Sequence, residues 1–107
     1  MKKIHIKYRG GYMLERAFID LAIEMGREKG MKKFSDFARF VWGETHDDIY
    51  SKWRDLRGTK TKEPQALTVR DAVLIADAFG KTLPEMFYTA GLKLNAGWSP
   101  EHIPQFA

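Results

Sequence analysis

Glycines at positions 30, 43, 58, 80 and 91 each close a stretch in which apolar residues recur every three or four places. That spacing lines one face of an α-helix, and a glycine just past the last turn supplies the backbone freedom that helix C-termini use. Period-2 alternation occurs only in Lys3-Ile4-His5-Ile6-Lys7-Tyr8, before Gly10-Gly11, so a strand there lacks a partner within the chain. The pattern predicts an all-α fold of five helices, with a short extended N-terminal arm.

The first helix is expected over Tyr12–Lys29. Met13, Ala17, Phe18, Leu21, Ala22 and Met25 share its apolar face, while Glu15, Arg16, Asp20, Glu24 and Glu28 lie on the other. Ser35 is the expected N-cap of a short second helix carrying Phe37, Ala38, Phe40 and Val41. A third helix, residues 46–57, follows Thr45 as N-cap, with Asp48 completing a capping box and Ile49, Trp53 and Leu56 forming an apolar stripe. Residues 59–66 have the composition of an exposed basic loop, with Pro64 preventing helix continuation. Thr68 with Asp71 opens the fourth helix, and Thr82, Pro84 and Glu85 open the fifth, expected to end at Gly91. Residues 92–107 contain Gly97, Pro100 and Pro104 without a clear period, and read as an irregular tail whose Trp98, Ile103 and Phe106 pack on this domain or on a second subunit.

With 107 residues the chain has room for one domain, and 44% hydrophobic against 30% charged residues is enough to bury a core. The absence of cysteine excludes disulfides, thiolate zinc sites and thiol nucleophiles. No apolar run approaches the roughly 18 residues of a membrane span, and no secretory leader is recognisable, so a cytoplasmic protein without membrane association is expected. The formal charge of +4 is unevenly placed: residues 1–62 carry 15 Lys and Arg against 9 Asp and Glu, residues 63–107 only 3 against 5. The basic surface therefore belongs to the first part of the chain, where a polyanionic partner would bind.

Residues 34–43, 45–58 and 67–87 resemble the λ repressor-like (Cro/CI, Xre) family of DNA-binding domains. The resemblance covers about residues 12–91, and its most specific element is the ending Ile75-Ala76-Asp77-Ala78-Phe79-Gly80-Lys81-Thr82-Leu83-Pro84-Glu85-Met86-Phe87. It implies a five-helix λ repressor-like bundle containing a helix-turn-helix, with residues 1–11 as the arm and 92–107 as the tail. Ala38 is the small residue such a motif needs where helices 2 and 3 pass closely, Gly43 serves the turn, and Ile49 and Trp53 anchor helix 3 to helices 1 and 4. Helix 3 then faces a DNA major groove.

With Ile49 and Trp53 inward, the opposite side of helix 3 carries Asp47, Ser51 and Arg54, flanked by Tyr50. These four are the expected base contacts, Arg54 as a bidentate partner of guanine. Asp47 and Asp48 favour the helix by about 0.3–1 kcal/mol but oppose a nearby phosphate. Lys32 and Lys33 before helix 2, Arg39 on it, and Arg57, Lys60 and Lys62 after helix 3 are the expected phosphate contacts, which position a duplex without reading it. A solvated helix face is the competing reading of each polar residue taken singly.

The resemblance also implies a homodimer on double-stranded DNA, with Ile4, Ile6 and Tyr8 and the segment around Phe87, Trp98 and Phe106 as dimer elements. A sequence-specific DNA-binding transcriptional regulator acting as a repressor is the function expected; the alternative is an antitoxin-like module that binds a partner protein and DNA only secondarily. Enzyme chemistry is not expected. His5, His46 and His102 lack metal-ligand spacing, Gly10-Gly11 lacks the Lys-Ser/Thr of a phosphate loop, and neither catalytic residues, metal nor cofactor is assigned.

Overall fold

The computed structural model describes residues 11–43, 48–59 and 63–99. Five helices follow one another: α1 Gly11–Glu28, α2 Phe34–Trp42, α3 Ile49–Arg57, α4 Val69–Ala78 and α5 Leu83–Asn95. No strand occurs among the described residues, as the sequence pattern requires. Of the expected arm, residues 1–11, only Gly11 is described, and it opens α1; the rest of the arm, and Thr45 as a cap of α3, lie outside the described residues.

One core holds the helices together. α1 packs along α5, α2 bridges α3 and α4, and α4 rests on α5. Ala17, Phe18 and Ala22 of α1 meet Ile75 and Ala76 of α4 and Met86 and Ala90 of α5 in that core. An aromatic cluster fills the α2–α3–α4 side. The Phe37 ring stacks on Trp53 at 4.1 Å and 16°, and tilts against Phe79 at 5.8 Å. Ala38 is wholly buried, as a close helix crossing demands.

The caps are chemical stops. At the start of α4 the Thr68 hydroxyl accepts the Asp71 N–H at 3.1 Å, and at α5 the Thr82 hydroxyl and Glu85 carboxylate exchange bonds with each other's backbone N–H groups. Two stops differ from expectation. α2 begins at Phe34, with Ser35 inside its first turn, because the Asp36 carboxylate accepts the Lys33 N–H at 3.2 Å and fixes the turn one residue earlier. α3 begins at Ile49, three residues later than expected, with Asp48 at the N-cap position and no side-chain cap bond there.

Two further departures concern length and burial. α5 runs through Gly91 to Asn95, so residues 92–95 are helix and not tail. Nothing lies within 4 Å of a Cβ built at Gly91, and Lys93 gains partners on α1 by staying helical. Arg16 and Asp20, expected on the solvent face of α1, are buried. Arg16 donates to the Leu56 carbonyl at 2.7 Å, satisfying an orphan acceptor in the last turn of α3, while Lys93 bridges Asp20 at 3.1 Å and Glu24. Burying a charge is tolerated only with such partners. For Lys93 desolvation acts downward, yet its bonds to Glu24 and Asp20 raise its pKa overall.

Candidate functional site

α3 turns its greasy edge inward. Ile49, Trp53 and Leu56 retain 4%, 1% and 3% of their accessible surface, whereas Ser51, Lys52 and Arg54 are exposed. The anchoring differs from expectation in its partner: Trp53 leans chiefly on α2, through Phe37 and, at 6.1 Å, Trp42, rather than on helices 1 and 4. Polar ties supply those other connections, through Arg16 to the Leu56 carbonyl and through Lys52 to the buried Asp71 carboxylate at 3.3 Å.

Of the expected base contacts, Ser51 and Arg54 stand together on the open edge, the Arg54 guanidinium donating to the Ser51 hydroxyl at 3.4 Å. Tyr50 is half-buried. Its hydroxyl accepts from Arg39 at 3.1 Å and its ring meets Phe34 edge-on at 6.5 Å. Asp47 lies outside the described residues.

The expected phosphate contacts divide similarly. Lys32 and Lys33 are exposed at the start of α2. Arg39 is engaged by Asp36 at 2.8 Å and by Tyr50, so it serves as a strut between α2 and α3. Arg57 is half-buried beside Trp53, its guanidinium 5.8 Å from the ring centroid. Desolvation, then the neighbouring charge of Arg27, pushes it down to about 10. Lys60 and Lys62 lie outside the described residues. Sequence reasoning missed Arg27 and Lys52; each is unremarkable on its own helix, and only packing brings one to Arg57 and the other to Asp71.

The Asp36 carboxylate holds this face together electrostatically. Foremost the Lys33 N–H, then the Lys32 N–H and the Arg39 charge, outweigh desolvation and keep its pKa below the usual carboxylate value. The Thr82 cap does the same for Glu85. The folded chain therefore releases these protons more readily than the unfolded one, so their stabilisation is present above the ordinary carboxylate pKa and lost as pH falls through the lowered value. Urea midpoints measured on acidification should show a shallower decline for Asp36→Asn and Glu85→Gln than for the parent chain. Parallel acid limbs in all three would show that neither cap is linked to protonation.

Comparison with family models, curated proteins and solved structures found no match. Among the described residues no helix is long and apolar enough to cross a membrane.

Proposed function

We propose that the protein is a sequence-specific DNA-binding regulator, a repressor of the λ repressor-like kind, with α2 and α3 as its helix-turn-helix. The carrying observation is the disposition of α3: a nine-residue helix whose apolar stripe is buried while Ser51 and Arg54 stand clear on the opposite edge. Arg54 takes the guanine-reading role and Ser51 a tolerant base contact. Lys32 and Lys33 are the exposed phosphate partners in this reading, with Lys60 and Lys62, whereas Arg57 is drawn toward Trp53 on the back of α3. Arg39 and Tyr50 position α3 against α2 more than they reach outward. Asp47, outside the described residues, is the fourth base contact in this reading.

A homodimer accompanies this reading, since one module of this size buries too little surface for high specificity. Phe87 and Trp98, expected at the dimer contact, are partly buried against this chain's own core, Phe87 at 4.8 Å from Phe18. The most exposed large apolar groups among the described residues are Val69 on α4 and Tyr88 and Leu92 on α5, 73%, 70% and 49% exposed. The same side chains favour the second reading, a module that captures a partner protein.

Selection of sites from random duplex DNA tests the proposal. Recovered sequences should contain paired half-sites about 10–10.5 base pairs apart, or a multiple of that spacing. Arg54→Ala should weaken binding to the selected site by about 1–3 kcal/mol and relax the preference at one base pair. Binding should fall with salt, with a log–log slope of about −0.9 for each phosphate neutralised. Recovery of no enriched sequence, together with an Arg54→Ala variant that binds duplexes like the parent, would sink the regulator reading and leave the protein-capture one.

A further inference from the structure

A cavity of about 420 Å³ opens where the last turn of α1, the start of α2 and the last turn of α3 meet. Its size lies within the roughly 300–1,000 Å³ of small-molecule sites, and its construction is theirs as well: apolar walls with a few polar groups at defined points. Ile23, Met31, Phe34, Phe37 and Trp53 form the walls. Arg27, Lys32, Lys33 and Arg57 supply the charge, and no described residue lining the cavity is acidic. Four cations from three separate segments converge on one concavity.

We propose that this cavity binds a small organic acid with an aromatic or branched apolar body, its carboxylate held among Arg27, Lys33 and Arg57. The apolar walls decide against a bare phosphate, which is far smaller than the space and gains nothing from Met31, Phe34 or Trp53. The cations decide for an anionic head group over a neutral hydrocarbon, because Arg27, Lys33 and Arg57 offer a carboxylate charged donors that a hydrocarbon cannot use. The lowered proton affinity of Arg57, set first by desolvation and then by the Arg27 charge, accords with a place where an opposite charge is favoured. Guanidinium groups bond a carboxylate through paired N–H donors, and a desolvated pair of this kind is stronger than one in water. Trp53 and Arg57 are α3 residues, so an occupant touches the back of the helix whose front edge carries Ser51 and Arg54.

Benzoate is a suitable first probe, titrated into the full chain without DNA, with benzyl alcohol and inorganic phosphate alongside. Benzoate should shift the Trp53 indole N–H resonance saturably and raise the melting temperature. Arg57→Gln should weaken it roughly tenfold, the loss of one charge-assisted contact. Should Arg57→Gln fail to fold by circular dichroism, Arg27→Gln, on a different helix, provides the same comparison. Benzyl alcohol should bind at least tenfold more weakly than benzoate, and phosphate should not displace it at equal concentration. The proposal is overturned by the absence of a saturable shift with benzoate, by equal binding of the alcohol, or by phosphate displacing benzoate as an equal. That last result would make the cavity a phosphate seat. No duplex is present, so failure here is separate from failure of the site selection.

Discussion

Trp53→Ala is expected to cost about 3–5 kcal/mol, the range for truncating a large buried aromatic. Trp53 is 1% exposed, stacks on Phe37, touches the Trp42 ring and covers the cavity floor, so its removal leaves a hole bordered by two helices that cannot close together. Domains of this size are stable by about 5–15 kcal/mol in all, so the variant should melt about 15–30 °C lower or populate unfolded chains at ambient temperature. Trp53→Phe should cost much less, because it keeps a ring on Phe37 and removes an indole N–H that has no hydrogen-bond partner among the described residues. Urea unfolding followed by circular dichroism measures both. A loss below about 1 kcal/mol for the alanine variant would mean the ring is not the anchor of α3, a surface-type value.

Gly58→Ala should cost about 2–4 kcal/mol, an unusual amount for adding a single methyl at the end of a helix. Gly58 sits at φ +81° and ψ 165°, a region that only glycine occupies without strain. A Cβ there would also stand 2.9 Å from Pro64 Cδ and 3.1 Å from the Pro64 nitrogen. The prolyl ring is rigid and its backbone is tied down nearby, where Gln65 N–H donates to the Asp55 carbonyl at 2.8 Å. The added methyl must therefore push the segment after α3 away from the helix. Gly43→Ala is the informative comparison: its φ of +77° carries the strain, since nothing among the described residues lies within 4 Å of its Cβ position. Gly58→Ala should exceed Gly43→Ala by the cost of the collision, about 1–2 kcal/mol. Equal losses would show that the proline yields. In the regulator reading Gly58→Ala should also weaken duplex binding beyond its effect on stability, because Lys60 and Lys62 follow Gly58 closely in the chain.

The helix count, the Thr68 and Thr82 caps and the inward stripe Ile49-Trp53-Leu56 were all legible in the chain. Each depends on residues within about four positions of one another, and a 3.6-residue period or a hydroxyl three places before a carboxylate is readable without knowing the fold. Ser51 and Arg54 inherited their outward position from the same periodicity. The α2 start was harder to read because Ser35 and Asp36 compete for the same turn, and the carboxylate is the stronger acceptor of its N–H groups. The end of α5 was hidden for another reason: glycine at 91 permits a stop, but whether the chain takes it depends on what Lys93 and Leu94 find on α1.

By itself, then, the sequence determined five amphipathic helices, the Thr68 and Thr82 caps and the inward stripe of α3, because those properties are local. Only the tertiary structure decided that Arg16 and Asp20 are interior, that Arg39 is spent on Asp36 and Tyr50, and that Arg27 reaches the same cavity as Arg57. A charged side chain in isolation belongs in water. It is drawn inside only when a distant segment brings a partner, as the Leu56 carbonyl does for Arg16 across forty residues of chain, and no local pattern records that meeting.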